Sequence, residues 1–480
     1  MQAMRSVGCV IAILFFAIVA PSVACAESEP LRLGVFDVDA TPPVGMAMAY
    51  GPAARPADLQ LRCRGIVILG AAEPIVLCAI DWIGVGNAAH DAFRQALAKA
   101  AATTPDRVAV QAVHQHDAPH ADFTAESIVA AAKTPANRRF DGGFARQVIG
   151  RAAEAVRGAV GAAGPVTHYG FGRAEVREVA SNRRLIGADG RLRGWRGSAT
   201  SDPALRAEPE GLVDPFVTAL VFYDGDVVRA VLTAYACHPQ SYYRTGTPGP
   251  DFPGIARFIR TQDLPSALHV HFAGAGGNVA AGKYNDGSHG NRVTLALRLA
   301  TGMRQAFEAV VKQPLTPADV GWSSVPVRIA ARRELDAGKL EASIREAADR
   351  GTYGPAEALA WMSRAQEGHR LDISCLRIGT VRMLHMPGEL FVEYQLAAHR
   401  MRPDLDVMLA AYGDLGPGYI GTAASYGEGG YEVAPTSSFV GPDAEEPLTA
   451  AMRTLLQAEA DGRTGRAYRP VPLKSLVRSN

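Results

Sequence analysis

The sequence lacks the hallmarks of several protein classes. Its 49 lysines and arginines are matched by 48 aspartates and glutamates, giving a net charge of +1. It therefore has no excess of basic residues for nucleic acid, and we expect no such partner. Six cysteines in 480 residues are too few and too scattered for a disulfide scaffold. Beyond residue 26 no apolar run is long enough to span a bilayer, and the sequence shows no internal repeat.

The first 26 residues have the order of a secretory signal peptide. Arg5 precedes the apolar run VGCVIAILFFAIVA, and Ala24-Cys25-Ala26 follows as a small-x-small cleavage site. A membrane anchor is the alternative, but the run is short of the about 20 residues that a span needs. Lipoprotein cleavage before Cys25 fits less well, because Ser22 stands where an aliphatic residue is needed. We expect residues 1–26 to be removed from a secreted or periplasmic protein whose contact with membrane surfaces, if any, is transient.

Four cysteines remain after this cleavage: Cys63, Cys78, Cys237 and Cys375. Cys63 and Cys78 lie on the two arms of a predicted hairpin, LRCRGIVIL and IVLCAIDW. Either a disulfide joins these two, or all four are buried thiols.

Strand-like and helix-like segments alternate along almost the whole chain. RLGVFDVD and the first hairpin are followed by a helix from Asn87 and the strand RVAVQAV, and a later hairpin turns at Asp224-Gly225. This rhythm is typical of an α/β fold. We predict a large mixed β-sheet core flanked by helices, in a single catalytic domain over residues 27–480.

Two segments depart from this rhythm. Residues 175–212 have little periodicity and many arginines, glycines and prolines, which indicates a long surface excursion lining a site, with a disordered linker as the alternative. Gly277–Lys283 has the spacing of a phosphate-binding loop, but Tyr284 stands where that loop needs Ser or Thr. We expect these glycines to allow close backbone approach rather than nucleotide binding.

Potential metal ligands follow strands that are far apart in sequence. Predicted strands end at His114, at His238 and just before Glu389. Ligand sites favour the carboxyl ends of strands, and scattered histidines with a carboxylate favour a catalytic zinc site over a structural one, which typically uses closely spaced cysteines. On an extended backbone His114 and His116 would point to the same side, so that one could bind metal and the other face the bound water.

The neighbouring residues of this cluster have ordinary alternatives. His120 and Asp122 lie beyond Pro119 and are predicted at the rim of the site. Asp117 either orients a histidine ring or holds the local turn. A single histidine at a strand end is usually a structural residue, and Glu389 alone could be an acidic residue near a helix N-terminus. The crowding of histidines favours a site.

Five segments, in order, resemble motifs of the neutral/alkaline non-lysosomal ceramidase family, from about Leu31 to the end of the chain. GVFDVDATPPVG resembles the opening strand and Thr-Pro turn, HQHDAP the H-T-H-S-G-P motif, and TAYACHPQS the second histidine motif. MPGEL resembles L-P-G-E, and GYIGTAASYGEGGYE the late tyrosine-rich segment. The resemblance implies the fold of the family's N-terminal catalytic domain, with zinc held by His114, His238, Glu389 and Tyr419.

The resemblance also implies catalytic roles. His116 takes the place of the histidine that contacts the zinc-bound water, and it would act as general base and acid. Arg183, in SNRR, resembles the family's arginine near the scissile group. Tyr419 or Arg183 would steady the oxyanion.

Three departures from the family pattern bear on the substrate. Asn278 and Ala280 stand where the family has the aspartate and serine of G-D-x-S-P-N, so a serine nucleophile is excluded there. Asp117 replaces the serine of the first histidine motif. We also expect no C-terminal immunoglobulin-like domain. These departures leave zinc hydrolysis better supported than ceramide specificity.

The sequence therefore predicts a secreted zinc-dependent hydrolase of a small-molecule or lipid amide such as ceramide, without an obligate protein partner. One alternative is a zinc-holding binding protein without catalysis, which Asn278 and Ala280 suggest. The other is a metal-dependent esterase or phosphoesterase, because Asp117, Asp251 and Asp286 could recruit a second metal.

Overall fold

The computed structural model describes residues 30–132, 140–346 and 354–457. The expected signal peptide lies outside these ranges and stays a prediction. No helix within them is long and apolar enough to cross a membrane. The α-helices are Asn87–Ala101, Phe123–Ala131, Gly143–Gly161, Pro203–Ala207, Asp251–Asp263, His289–Glu308, Ala337–Glu346, Gly354–Gln366, Val392–Met401, Ala423–Glu428 and Glu445–Gln457.

The fold is α/β, as expected, and its larger strands form three mixed sheets. In spatial order the first contains Val108–Ala112, Ile75–Ile80, Arg62–Leu69, Arg32–Asp39 and Gly164–Pro165. The second contains Leu268–Ala273, Val227–Tyr235, Phe216–Asp224, His168–Glu175 and Val311–Pro314. The third contains Val320–Val327, Leu371–Ile378, Val381–His385 and Asp406–Ala410.

Short two-stranded ladders complete the sheet structure of the described residues. They pair Ala47–Met48 with Gly51–Pro52, Gly84–Gly86 with His120–Asp122, Ser181–Asn182 with Val279–Ala280, Arg184–Ile186 with Leu192–Trp195, and Glu389–Leu390 with Tyr419–Ile420. Three of these ladders border the cavity described below.

Each larger sheet contains the same run of elements. An antiparallel hairpin is followed by a helix and by a strand that pairs parallel to the second hairpin arm. In the first sheet these are the arms Arg62–Leu69 and Ile75–Ile80, the helix Asn87–Ala101 and the strand Val108–Ala112. The sequence shows no such repeat, because buried strands need only apolar side chains and the three copies use different ones.

The parallel strands of different sheets meet at the centre of the molecule. Ala112 N donates to Tyr412 O at 2.8 Å, and Ala411 N donates to Ala273 O at 2.9 Å. Gln111, although buried, is satisfied by the carbonyls that follow the strands of the third sheet. The carboxyl ends of strands from all three sheets are thereby brought together.

Apolar side chains fill the space between the sheets. One buried cluster takes Ile66 and Leu77 from the first sheet, Leu232 and Phe272 from the second, and Met383 from the third. Strand Ile75–Ile80 is buried along its whole length, which explains why its sequence is continuously apolar rather than alternating. Helices cover the outer faces of the sheets with their apolar sides.

Both predicted hairpins are present, with differences in detail. Cys63 and Cys78 lie on adjacent arms as free buried thiols, with their sulfur atoms 3.4 Å apart. The second hairpin turns one residue later than predicted, since the strand continues through Asp224 and the loop is Gly225–Asp226. Gly225 has a φ of +55°, which a glycine adopts at little cost.

Residues 175–212 are folded, so the linker alternative is wrong. They contain the short ladder Arg184–Ile186 with Leu192–Trp195 and the helix Pro203–Ala207, and Arg183, Arg184 and Arg196 are all buried. The Arg196 guanidinium donates to backbone carbonyls of residues 182, 205, 208, 209 and 210, which substitutes for the regular pairing that this segment lacks. Arg183 and Trp195 line a cavity, as expected of an excursion that lines a site.

Candidate active site

All six residues predicted for the site line one cavity of about 720 Å³. They are His114, His116, Arg183, His238, Glu389 and Tyr419. The cavity lies where the carboxyl ends of the central strands converge. Its wall also carries six aromatic side chains, which the sequence did not identify as part of the site: Tyr50, Trp195, Tyr242, Tyr243, Tyr431 and Phe439.

Three buried histidines meet at the floor of this cavity. His114, His116 and His238 each offer a ring nitrogen, and these atoms lie within 4.8 Å of one another. The Nε2 atoms of His116 and His238 are 3.4 Å apart. Three imidazoles that share one buried position are the expected ligands of a transition metal.

The backbone that places His114 differs from the predicted one. The strand ends at Ala112, and His114 has a left-handed φ of +73° rather than an extended conformation. Its ring nevertheless lies edge-on to the His116 ring, 4.9 Å away between centroids. The two rings therefore converge because the chain turns sharply where the strand passes into the loop. The predicted cause, alternation along an extended strand, is wrong.

Backbone carbonyls orient all three rings. Nδ1 of His114 lies 2.5 Å from Ile83 O, Nδ1 of His116 lies 3.1 Å from His114 O, and Nδ1 of His238 lies 3.3 Å from Gly276 O. A carbonyl only accepts, so each Nδ1 carries the proton and each Nε2 of a neutral ring presents a lone pair to the site. This is the outer arrangement usual around metal-binding histidines.

Burial keeps two of the histidines neutral. It lowers the pKa of His116 and of His238 well below the ordinary value, and the nearby His114 and Arg183 lower both further. Neutral imidazole is the form that binds a metal or accepts a proton.

Glu389 and Tyr419 are neighbours across a short parallel ladder. Gly388 precedes Glu389 with a φ of +62° and packs against the carbonyl of Gly418, which explains the glycine of the MPGEL segment. Glu389 Oε2 lies 3.1 Å from Nε2 of His114 and 3.8 Å from Nε2 of His238. The ladder thus brings the predicted carboxylate and the predicted tyrosine to the same floor.

Arg183 approaches this floor from the opposite wall. Its Nη1 donates to the Tyr419 hydroxyl at 3.2 Å, and its Nε lies 3.5 Å from the fully buried Glu432. Burial acts to lower the pKa of Arg183, but Tyr419 and Glu432 outweigh it, so this pKa lies above the ordinary value. Burial, with Glu389 nearby, raises the pKa of Tyr419 well above its usual range. Arg183 therefore keeps its positive charge, and the Tyr419 hydroxyl keeps its proton.

The arrangement of donor atoms fits a metal ion. With its proton on Nδ1, a neutral His114 ring would direct the Nε2 lone pair at Glu389 Oε2, a buried oxygen that accepts no hydrogen bond from the described residues. Two lone pairs face each other stably only when a proton or a metal ion lies between them. Ligand atoms at 2.0–2.2 Å from a tetrahedral zinc are roughly 3.3–3.6 Å apart, and Glu389 Oε2 lies 3.1 Å from Nε2 of His114 and 3.8 Å from Nε2 of His238.

The acidic residues proposed for a second metal are engaged elsewhere. Asp117 accepts hydrogen bonds from the backbone of Arg244 and Thr245 and from the Thr245 hydroxyl, so it holds a turn instead of orienting a histidine. Asp251 accepts from the Ser241 backbone and pairs with Arg292. Asp286 binds Ser288 and Asn291 at the surface. None of these three aspartates belongs to the histidine cluster.

His120 and Asp122 also line the cavity, and neither belongs to the histidine cluster. His120 Nδ1 pairs with Glu357 at 2.9 Å. Asp122 caps the helix Phe123–Ala131 through the backbone of Thr124 and Ala125. Burial raises the pKa of Asp122 to about 6.

The glycine loop serves close backbone approach, as expected. A Cβ on Gly277 would lie 2.3 Å from the carbonyl oxygen of Glu389. Asn278 accepts from Val392 N and donates to Glu393, which ties the loop to the start of the helix Val392–Met401. Ala280, where the family has serine, is fully buried opposite Ser181.

The sequence matches no protein-family model and no curated protein. The structure, however, is similar to solved ceramidases. A ceramidase complexed with C2 has a TM-score of 0.63 at 17% identity, over 92% of this chain and 77% of that chain. The neutral ceramidase from Pseudomonas aeruginosa has a TM-score of 0.61 at 17% identity, over 93% of this chain and 77% of that chain. This chain has a ceramidase-like fold. The ceramidase-like catalytic fold expected from the sequence motifs is thus confirmed, while at this identity the activity is a separate question.

Proposed function

We propose that this protein is a secreted or periplasmic zinc-dependent hydrolase of amide bonds, with ceramides and related N-acyl lipids as the first substrates to test. The observation that carries the proposal is the convergence of three histidine Nε2 atoms and an unsatisfied carboxylate oxygen at the floor of a large cavity. The ceramidase-like fold supports the choice of an amide.

His114, His238, Glu389 and Tyr419 would hold the zinc ion. Zinc, when bound, lowers the pKa of a water to about 7 and polarises a carbonyl, so that no protein nucleophile is needed. This agrees with Ala280, which is fully buried in a short ladder and has no nucleophilic side chain.

His116 is the residue best placed to move the proton. Its ring is neutral, its Nδ1 donates to a carbonyl, and its Nε2 faces the other histidines. It would accept a proton from the attacking water and return it to the leaving nitrogen. The carbon–nitrogen bond breaks, the hydroxyl of water joins the acyl carbon, and the proton leaves on the amine.

Arg183 and Tyr419 would stabilise the oxyanion that develops on the carbonyl oxygen. The Arg183 guanidinium is held from behind by Glu432 and lies over the Trp195 ring, 4.8 Å from its centroid. Because these contacts are made before substrate binds, little reorganisation is needed during the reaction.

Metal content measured by elemental mass spectrometry on residues 27–480 tests the proposal. We expect one zinc per chain, and loss of it in the double variant His114→Ala, His238→Ala. The matched control is His168→Ala, His289→Ala, since both of these histidines lie away from the cavity floor. A folded wild type that also refuses added zinc would refute the proposal. Turnover of a ceramide panel follows, and tight binding of amides without turnover would favour the non-catalytic alternative.

A further inference from the structure

Arg244 places an exposed cation at the mouth of the cavity. Its guanidinium lies over two aromatic rings that contact each other edge-on, 5.3 Å from the centroid of Tyr50 and 5.2 Å from that of Tyr243. All three residues line the cavity. Within the described parts of the chain, no carboxylate lies within ion-pair distance of this guanidinium. Two rings restrict its motion while its hydrogen-bond donors stay available.

The backbone at Arg244 is held in an uncommon conformation. Its φ is +63°, in the left-handed region that residues other than glycine rarely adopt. Asp117 holds the turn, accepting from Arg244 N at 2.8 Å and from the Thr245 hydroxyl at 2.8 Å. An exposed arginine that only contacts water does not require its backbone to be held in a strained conformation. Residues with strained backbones cluster at binding sites. Asp117 thus positions Arg244.

A continuous stack connects Arg244 with the catalytic floor. The Tyr50 ring is parallel to the His116 ring, with centroids 5.7 Å apart and 5° between the planes. The Tyr243 ring meets His116 edge-on at 5.5 Å. The guanidinium therefore lies one aromatic ring beyond the proposed general base, within reach of a substituent on a substrate whose amide lies at the floor.

The other arginine that lines the cavity already has a carboxylate partner, because Arg183 pairs with Glu432. The carboxylates of the cavity wall, Asp122, Glu357 and Glu389, form no ion pair with Arg244. Among the described residues that line the cavity, Arg244 is therefore the arginine without a carboxylate partner, and an anion from the ligand would balance its charge.

We propose that Arg244 binds an anionic group of the substrate, so that the preferred amides carry a carboxylate or phosphate and differ in charge from ceramide, which is neutral. This inference rests on the proposed amide hydrolysis. A guanidinium binds both anions through paired hydrogen bonds, so the two are separated by experiment. The reaction is unchanged: the amide C–N bond breaks and water supplies a hydroxyl to the acyl carbon and a proton to the nitrogen.

Three amides with the same acyl chain test the proposal: N-lauroylglycine, N-lauroylphosphoethanolamine and the neutral N-lauroylethanolamine. For the wild type we expect a KM about 10- to 100-fold lower for at least one anionic amide than for the neutral one, the worth of a charge-assisted hydrogen bond, with a similar kcat. The better of the two anionic amides identifies the anion. Arg244→Gln should remove the difference by raising the KM of the anionic amide, and Arg244→Lys should keep part of the difference. Arg191→Gln, an exposed arginine outside the cavity, is the control.

Failure of this inference differs from failure of the proposed function. Hydrolysis of all three amides with equal KM would overturn the role of Arg244 and leave the hydrolase proposal intact. If no amide is hydrolysed, calorimetric binding of N-lauroylglycine and N-lauroylphosphoethanolamine decides. Binding of either that is at least tenfold weaker in Arg244→Gln than in wild type supports the anion site, and equal binding of both overturns it.

Discussion

Glu389 Oε2 lies 3.1 Å from Nε2 of His114, although the two residues come from different sheets. His114 follows the parallel strand of the first sheet, and Glu389 follows the second hairpin arm of the third. His238 follows the corresponding hairpin arm of the second sheet. The repeated topology thus brings one proposed ligand from each sheet to a common centre, a few residues after the end of a central strand.

Replacing His116 by alanine is expected to abolish turnover while zinc is retained. A general base typically contributes about 10²- to 10⁴-fold to the rate, so kcat should fall by that factor. Elemental analysis of the same preparation shows whether the metal stays. Loss of zinc together with activity would make His116 a ligand, which its 3.4 Å distance from His238 would also permit, and the assignment of the base would then be wrong.

Tyr419→Phe removes one hydroxyl from the floor and keeps the ring that stacks parallel to His238. Loss of one oxyanion donor costs about 10²- to 10³-fold in kcat, so we expect a fall of at least that size. Because Tyr419 is also a proposed zinc ligand, the zinc content of the same preparation is measured to separate the two roles. Tyr426→Phe is the control, because its hydroxyl bonds Ser438 and does not line the cavity. Equal activity of wild type and Tyr419→Phe would remove Tyr419 from the mechanism.

The sequence predicts which residues line the candidate site better than it predicts the geometry that unites them. All six predicted residues line the cavity. They could be predicted because each has a polar or charged side chain that is costly to bury without a function. They are His114, His116, Arg183, His238, Glu389 and Tyr419. The carbonyls of Ile83 and Gly276 that orient the rings carry no such mark, since every residue has a carbonyl. The left-handed turn at His114 is likewise invisible, because tertiary contacts, not local preference, impose it.

The division of the strands into three sheets could not be predicted from the sequence either. Strand alternation and hairpin turns predict neighbours along the chain, but contacts between sheets depend on how Gln111 and the strand ends meet. Arg244 was missed for a related reason. Its two aromatic neighbours include Tyr50, which is almost two hundred residues away in sequence, and only folding brings them together.

Asp81→Asn is expected to destabilise the protein strongly. The side chain is fully buried and pairs with both terminal nitrogens of Arg257 at 2.7 and 2.5 Å. Burial raises the pKa of Asp81, but Arg257 outweighs this and holds it below the ordinary value. Removing one charge leaves Arg257 buried and unpaired, which costs about 3–5 kcal/mol. Asp81 also accepts from Gln115, so the loop between the two histidines should loosen.

Asp37→Asn provides the comparison for this prediction. Asp37 pairs with Arg62 and Arg64 at 2.7 and 3.0 Å, but its side chain is 31% exposed. Water compensates most of such a loss, so we expect a cost of about 0–1 kcal/mol. Urea unfolding of both variants measures the two free energies. Similar values for Asp81→Asn and Asp37→Asn would contradict the importance assigned to the buried pair.

The stability of the metal-free protein should fall as the pH is lowered from 7 to 5. Burial lowers the pKa of His271 and of His385 from 6.5 to about 3. Below pH 6.5 the unfolded chain binds protons at these positions while the folded chain does not, so stability is lost with decreasing pH. At pH 5 each such histidine should cost about 2 kcal/mol relative to neutral pH.

Urea unfolding in the presence of a chelator measures this dependence without metal linkage. The decrease in the free energy of unfolding between pH 7 and pH 5 should be smaller in His385→Gln, because glutamine does not titrate. The control is His168→Gln, at a part-exposed position on the second sheet, which should leave the pH profile unchanged. His385 contacts the Ser374 hydroxyl at 3.3 Å and the Trp322 ring, and neither group is charged. Burial is therefore the cause of the lowered pKa of His385. A wild-type stability that is constant over this range would show that water reaches His271 and His385 readily enough to protonate them in the folded state.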